Sequence, residues 1–99
     1  MSRKPIMLHP DTPTSLACQL GSGVQAYLYG SVAKGTATEK SDLDIYLTGP
    51  VAAKVEERLM FNRPKVMFAG KVYSLHVIGP LTVAQDVFFA AQPEARRVY

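Results

Sequence analysis

The stretch YGSVAKGTATEKSDLDIYL, residues 29–47, opens on a glycine-serine turn and closes on two aspartates one residue apart in an apolar run. If its last residues form a strand, alternation sends Asp42 and Asp44 to one side and Leu43 and Ile45 to the other. Two converging carboxylates repel, and burying them unpaired is costly. A hard divalent cation, Mg2+ or Mn2+, is the usual compensation, the more so when a polyphosphate adds further oxygen ligands. At the other end, Gly30 has no Cβ to keep its backbone N–H from an anion, and the turn that follows at Ser31 presents unpaired donors. This is not a P-loop, because the lysine precedes the glycine in Lys34-Gly35-Thr36 instead of following it.

Outward from this stretch, 24–29 (VQAYLY) and 43–47 (LDIYL) are β-branched and aromatic runs closed by Gly30 and by Gly49-Pro50, and both read as strands. Between them a brief helical turn after Gly30 gives way to a loop through Lys40. In 51–60, Val51, Val55 and Leu59 share one face while Lys54, Glu57 and Arg58 fill the other, which predicts an amphipathic helix. Two β runs, 65–68 and 71–78, are joined at Ala69-Gly70 as a tight hairpin. Upstream, Asp11 or Thr12 as N-cap, Pro13, the Leu16, Ala17 and Leu20 stripe and a stop at Gly21 predict a short first helix. Downstream, Thr82 with Gln85 forms a capping-box pattern for a last helix over 83–91, ended before Pro93. That helix is apolar on nearly every side at Val87, Phe88, Phe89, Ala90 and Ala91, which favours pairing with a helical partner protein or a second copy of the chain. The expected fold is α+β, a small mixed β-sheet packed with helices. Residues 1–11 would be an N-terminal arm, 12–92 the domain and 93–99 a C-terminal tail.

The chain has 99 residues, room for one small domain and one core. Eleven basic against eight acidic residues give a net charge of +3. This permits nucleic acid or phosphate as a partner but supports nucleic acid only weakly, because the basic residues are scattered and the pairs Arg3-Lys4 and Arg96-Arg97 sit near the ends as solubilising groups. Cys18 is the single cysteine, so an internal disulfide is ruled out and a reducing cytoplasm fits. No apolar run approaches the roughly 18 residues of a membrane span.

A hydrophobic strand, Gly30-Ser31, then Ser41-Asp42-Leu43-Asp44 in a second strand, with Gly35 between, resembles the signature of the nucleotidyltransferase superfamily related to DNA polymerase beta, in its minimal branch. The resemblance implies a nucleotidyltransferase-like core and a nucleoside triphosphate such as ATP as substrate. It implies that Gly30 and Ser31 hold the triphosphate, that Ser41 belongs to the motif, and that Asp42 and Asp44 bind divalent ions. Lys34 flanks the expected phosphate site and would neutralise charge there. The reaction would move a nucleotidyl group to an acceptor hydroxyl and release pyrophosphate.

The family expects a third carboxylate on a later strand, with hydrophobic flanks. Here the position between Leu75 and Val77 holds His76. An imidazole takes a proton or ligates a metal near neutral pH, so His76 is a candidate catalytic group. It equally suits a structural role in a catalytically inactive, nucleotidyltransferase-like binding or regulatory module. Tyr27, Tyr29, Tyr46 and Tyr73 are expected to pack the sheet.

Overall fold

A computed structural model describes residues 14–99. Its elements run β1 (Thr14–Ser15), α1 (Leu16–Leu20), β2 (Gln25–Tyr29), α2 (Gly30–Lys34), β3 (Leu43–Thr48), α3 (Ala52–Phe61), β4 (Lys65–Phe68), β5 (Lys71–Ile78), α4 (Gln85–Ala91) and β6 (Arg96–Arg97). The strands form one mixed sheet in the order β1-β4-β5-β3-β2-β6. The central pair, β3 and β5, is parallel, which the α3 crossover between them allows; β2 and β4 flank it antiparallel.

One face of the sheet carries the core. Leu43, Ile45 and Leu47 of β3 meet Leu75 and Val77 of β5, and α3 covers them with Ala52, Val55 and Leu59. Val55 and Leu59 belong to the apolar stripe read in the sequence; its third member, Val51, is the N-cap of α3 and packs against the core only in part, while Ala52 takes the first buried position of the helix. The hairpin forms as expected: Ala69 (φ +51°) and Gly70 (φ +79°) are both left-handed, the turn that matches strand twist.

The opposite face is built differently. Register puts Tyr27 opposite Tyr46 and Tyr29 opposite Asp44, so these side chains share that face. The last helix lies over this half of it. Phe88 stacks on Tyr46 with ring centroids 3.9 Å apart, and Tyr27 and Tyr29 meet Phe89 and Phe88 edge-on at 4.9 and 5.0 Å. Thus Phe88 and Phe89 of this helix, expected to pair with another chain, pack on their own sheet, while Val87 stays exposed. Tyr73 lies on the other face, against the core.

Three local expectations are corrected. The first helix is capped by Ser15, whose hydroxyl accepts the Cys18 N–H at 3.1 Å; Asp11 and Thr12, the caps expected from sequence, lie outside the described residues, as do the N-terminal arm and His9. The capping box at Thr82 and Gln85 does not form. Helix α4 begins at Gln85 with Ala84 as an unassisted cap, because the Thr82 hydroxyl donates instead to Glu56 Oε2 at 2.5 Å. Finally, Arg96-Arg97, expected in a tail, form the edge strand β6 against Leu28 and Tyr27; that pairing depends on a free edge of β2, which local sequence does not reveal. Among the described residues no helix is long and apolar enough to cross a membrane.

Candidate functional site

The site is assembled where β2 ends and β3 begins. Chain direction reverses between them, so the turn at Gly30 comes back beside the first residues of β3. Gly30 enters α2 with φ +78°, and a Cβ placed there would overlap Asp44 Oδ2 and lie 3.2 Å from Asp44 Cγ. Only glycine both adopts that backbone and lets the carboxylate sit so close. At the far end of α2, Gly35 is left-handed and its N–H returns to the Ser31 and Val32 carbonyls, which fixes the turn.

The parallel pairing of β3 with β5 sets His76 directly beside Asp44. His76 Nδ1 and Asp44 Oδ1 are 3.1 Å apart, with the two side chains 35% and 24% exposed. With its proton on Nδ1 the imidazole donates to the carboxylate and leaves Nε2 free to accept. Tyr29, opposite Asp44 on β2, has its phenol pushed up to about 12, first by burial and then by the negative charge of Asp44.

Asp42 lies one residue before β3 begins. Like Asp44 it is half-buried and alternates with the buried Leu43, but its carboxylate faces Arg63 Nη1 at 3.7 Å. The structure therefore joins Asp44 to His76 and to Gly30, and gives Asp42 a different partner. Among the described residues no three His, Cys, Asp or Glu side chains converge as a ready-made metal site. Ser41, read as part of the nucleotide motif, uses its hydroxyl to accept the Thr38 N–H at 2.8 Å, closing the loop that leads into β3. Lys34 is exposed at the last position of α2.

Beside Asp42 a polar cleft of about 190 Å³ opens between Lys40 and Ser41 on one wall and Lys65, Tyr73 and Ser74 on the other. That is small against the roughly 300–1,000 Å³ of a whole ligand site.

Two acids of the site's surroundings were not singled out from sequence. Glu94 reaches back from beyond α4, and its Oε2 accepts the Gly30 N–H at 3.3 Å. Its own backbone N–H, then that of Gly30 and the charge of Lys34, outweigh desolvation and hold its carboxyl below the usual range. No local pattern predicts a contact spanning 64 positions. Glu56 is fully buried in α3 and accepts the Leu81 N–H at 2.9 Å and the Thr82 hydroxyl. Its signal was legible, since it falls on the apolar stripe four residues after Ala52. It holds the 79–83 turn, whose Val83 carbonyl in turn accepts the Tyr46 hydroxyl at 2.5 Å; Glu56 thus fixes α4 on the sheet.

The sequence matches the family model of the nucleotidyltransferase domain over residues 15–89, from the cap of α1 into α4. No curated protein and no solved structure matches it significantly. The chain belongs to the nucleotidyltransferase domain family.

Proposed function

We propose that this protein binds a nucleoside triphosphate at the Gly30-Ser31 turn and transfers its nucleotidyl group to an acceptor hydroxyl, with release of pyrophosphate. The observation that carries this reading is the seating of Asp44, paired with His76, directly against the Gly30 turn. Family membership supports nucleotidyl transfer in general; the residues supply the finer assignment.

Gly30 and Ser31 would bind the polyphosphate through backbone donors, and Lys34 would neutralise charge beside them. Asp42 and Asp44 offer hard oxygen ligands of the kind Mg2+ or Mn2+ takes, and the neighbouring imidazole suits Mn2+ better than Mg2+. When bound, such an ion supplies charge neutralisation of the phosphates. His76, held by Asp44 through Nδ1, would accept the acceptor's proton at Nε2. As it does so, the acceptor oxygen bonds to the α-phosphorus and the bond to the bridging oxygen breaks, so that pyrophosphate leaves with the electron pair. The cleft beside Asp42 is too small for a second nucleotide and would admit the hydroxyl-bearing end of an acceptor between Lys40 and Lys65.

A second reading is a nucleotide-binding or regulatory module that no longer turns over. It is favoured by His76 in place of a third acid and by the pairing of Asp42 with Arg63. One experiment separates the two. The protein is incubated with each α-labelled nucleoside triphosphate, Mg2+ or Mn2+, and RNA, protein or small-molecule acceptors, beside the Asp42→Asn/Asp44→Asn variant. Pyrophosphate release and label transfer by the wild type alone support the enzyme. Nucleotide binding without release under any of these conditions supports the module.

A further inference from the structure

The Gly30 N–H, which the nucleotide reading assigns to a phosphate oxygen, is already taken. Glu94 Oε2 accepts it at 3.3 Å, and the charge of Lys34, the second group assigned to the polyphosphate, acts on the same carboxylate. Two anions do not share one donor and one cation without strong mutual repulsion.

The segment that carries Glu94 is docked, not loose. Arg96 and Arg97 pair with Leu28 and Tyr27 along the edge of β2. Ala26 N–H donates to the Tyr99 carbonyl at 2.9 Å and Val98 N–H to the Ala26 carbonyl at 2.8 Å. The Tyr99 hydroxyl donates to the Gly21 carbonyl. This edge strand holds Glu94 at the mouth of the turn, while the contact to Gly30 is a single long hydrogen bond accepted by a half-buried side chain. The anchoring is firm and the plug itself is light, so the side chain can swing away with β6 still paired.

We propose that residues 93–99 form an intrasteric plug, in which Glu94 occupies the polyphosphate position at Gly30 and must withdraw before a nucleotide binds. This rests on the nucleotide reading of the site. The carboxylate points to a backbone donor, the arrangement of an anion substitute; a ligand for a cation at Asp44 would have to give up that N–H.

The test uses the full chain. ATP binding with Mg2+ is measured by calorimetry for wild type, Glu94→Gln and Glu94→Ala at low and high salt. Removing the charge is expected to tighten binding about two- to fivefold, the range of an exposed ionic interaction, with a smaller gain at high salt. In 15N spectra without nucleotide, the Gly30 amide signal should move in both variants, and ATP should move it in all three proteins. Equal affinities would overturn the plug and leave the nucleotide reading standing. Weaker binding by the variants would also overturn it, placing Glu94 among the groups that hold the nucleotide. If ATP binds none of the three proteins and leaves Gly30 unmoved, the nucleotide reading itself fails and the plug with it. Unchanged melting temperatures confirm that the variants fold.

Discussion

Gly30→Ala tests the geometry on which the site depends. Two separable costs follow from the structure. The first is backbone strain: φ is +78°, and an L-residue in the left-handed region costs about 1–2 kcal/mol. The second is steric, because the new Cβ would overlap Asp44 Oδ2 and crowd Asp44 Cγ and Cβ at 3.2 and 3.3 Å. The Asp44 side chain must then rotate, breaking its 3.1 Å contact with His76 Nδ1, a loss of about 1 kcal/mol. The sum is roughly 2–3 kcal/mol, which for a domain of this size lowers Tm by about 10–20 °C. The two terms are distinguished by a double-mutant cycle in urea, followed by circular dichroism. In an Asp44→Ala background the carboxylate is gone, so Gly30→Ala should retain only the backbone cost, and the coupling should be about 1 kcal/mol. If Gly30→Ala costs the same in both backgrounds, Asp44 does not rest against the turn and the assembled site is wrong.

Two further outcomes are expected. Glu56→Ala leaves the Leu81 N–H and the Thr82 hydroxyl without their buried acceptor and should cost about 2–4 kcal/mol, with loss of the near-ultraviolet signal of Tyr46 stacked on Phe88; a Tm within 3 °C of wild type, on the order of half a kcal/mol, would refute its role as the latch of α4. Tyr29 has a folded pKa of about 12 against an ordinary 10.0. Its raised value means that the stability it contributes is intact below pH 10 and is lost as pH rises from there through 12. A difference titration of phenolate absorbance between wild type and Tyr29→Phe should show a midpoint near 12, lowered by Asp44→Asn; a midpoint at 10 would place Tyr29 in solvent.

How much of this was readable in advance follows from the range of each signal. The β2–turn–β3 unit, the α3 stripe and the Ala69-Gly70 hairpin are local patterns, and alternation alone placed Asp42 and Asp44 on one side of Leu43. Partners are not local. Arg63 claims Asp42 from just beyond α3, Glu94 claims Gly30 from beyond α4, and Thr82 turns its hydroxyl to donate to a buried carboxylate on α3 instead of accepting a backbone N–H of its own helix. Each of these contacts competes with the role that the sequence pattern led one to expect of the residue.

At position 76, where the resemblance implied an acid, the structure sets an imidazole against Asp44. Parallel register fixes position 76 beside Asp44, and the observed separation is 3.1 Å. Two carboxylates that close do not both stay ionised unless a cation lies between them; otherwise one of them holds a proton. An imidazole avoids that choice: with its proton on Nδ1 it donates to the carboxylate directly, and no cation is needed between them. The same hydrogen bond ties up one of the oxygens that a metal would use. On the function proposed above, a nucleotide's own phosphate oxygens, arriving at Gly30, would have to complete the ligand set of an ion for which Asp44 and, once released from Arg63, Asp42 are the proposed protein ligands.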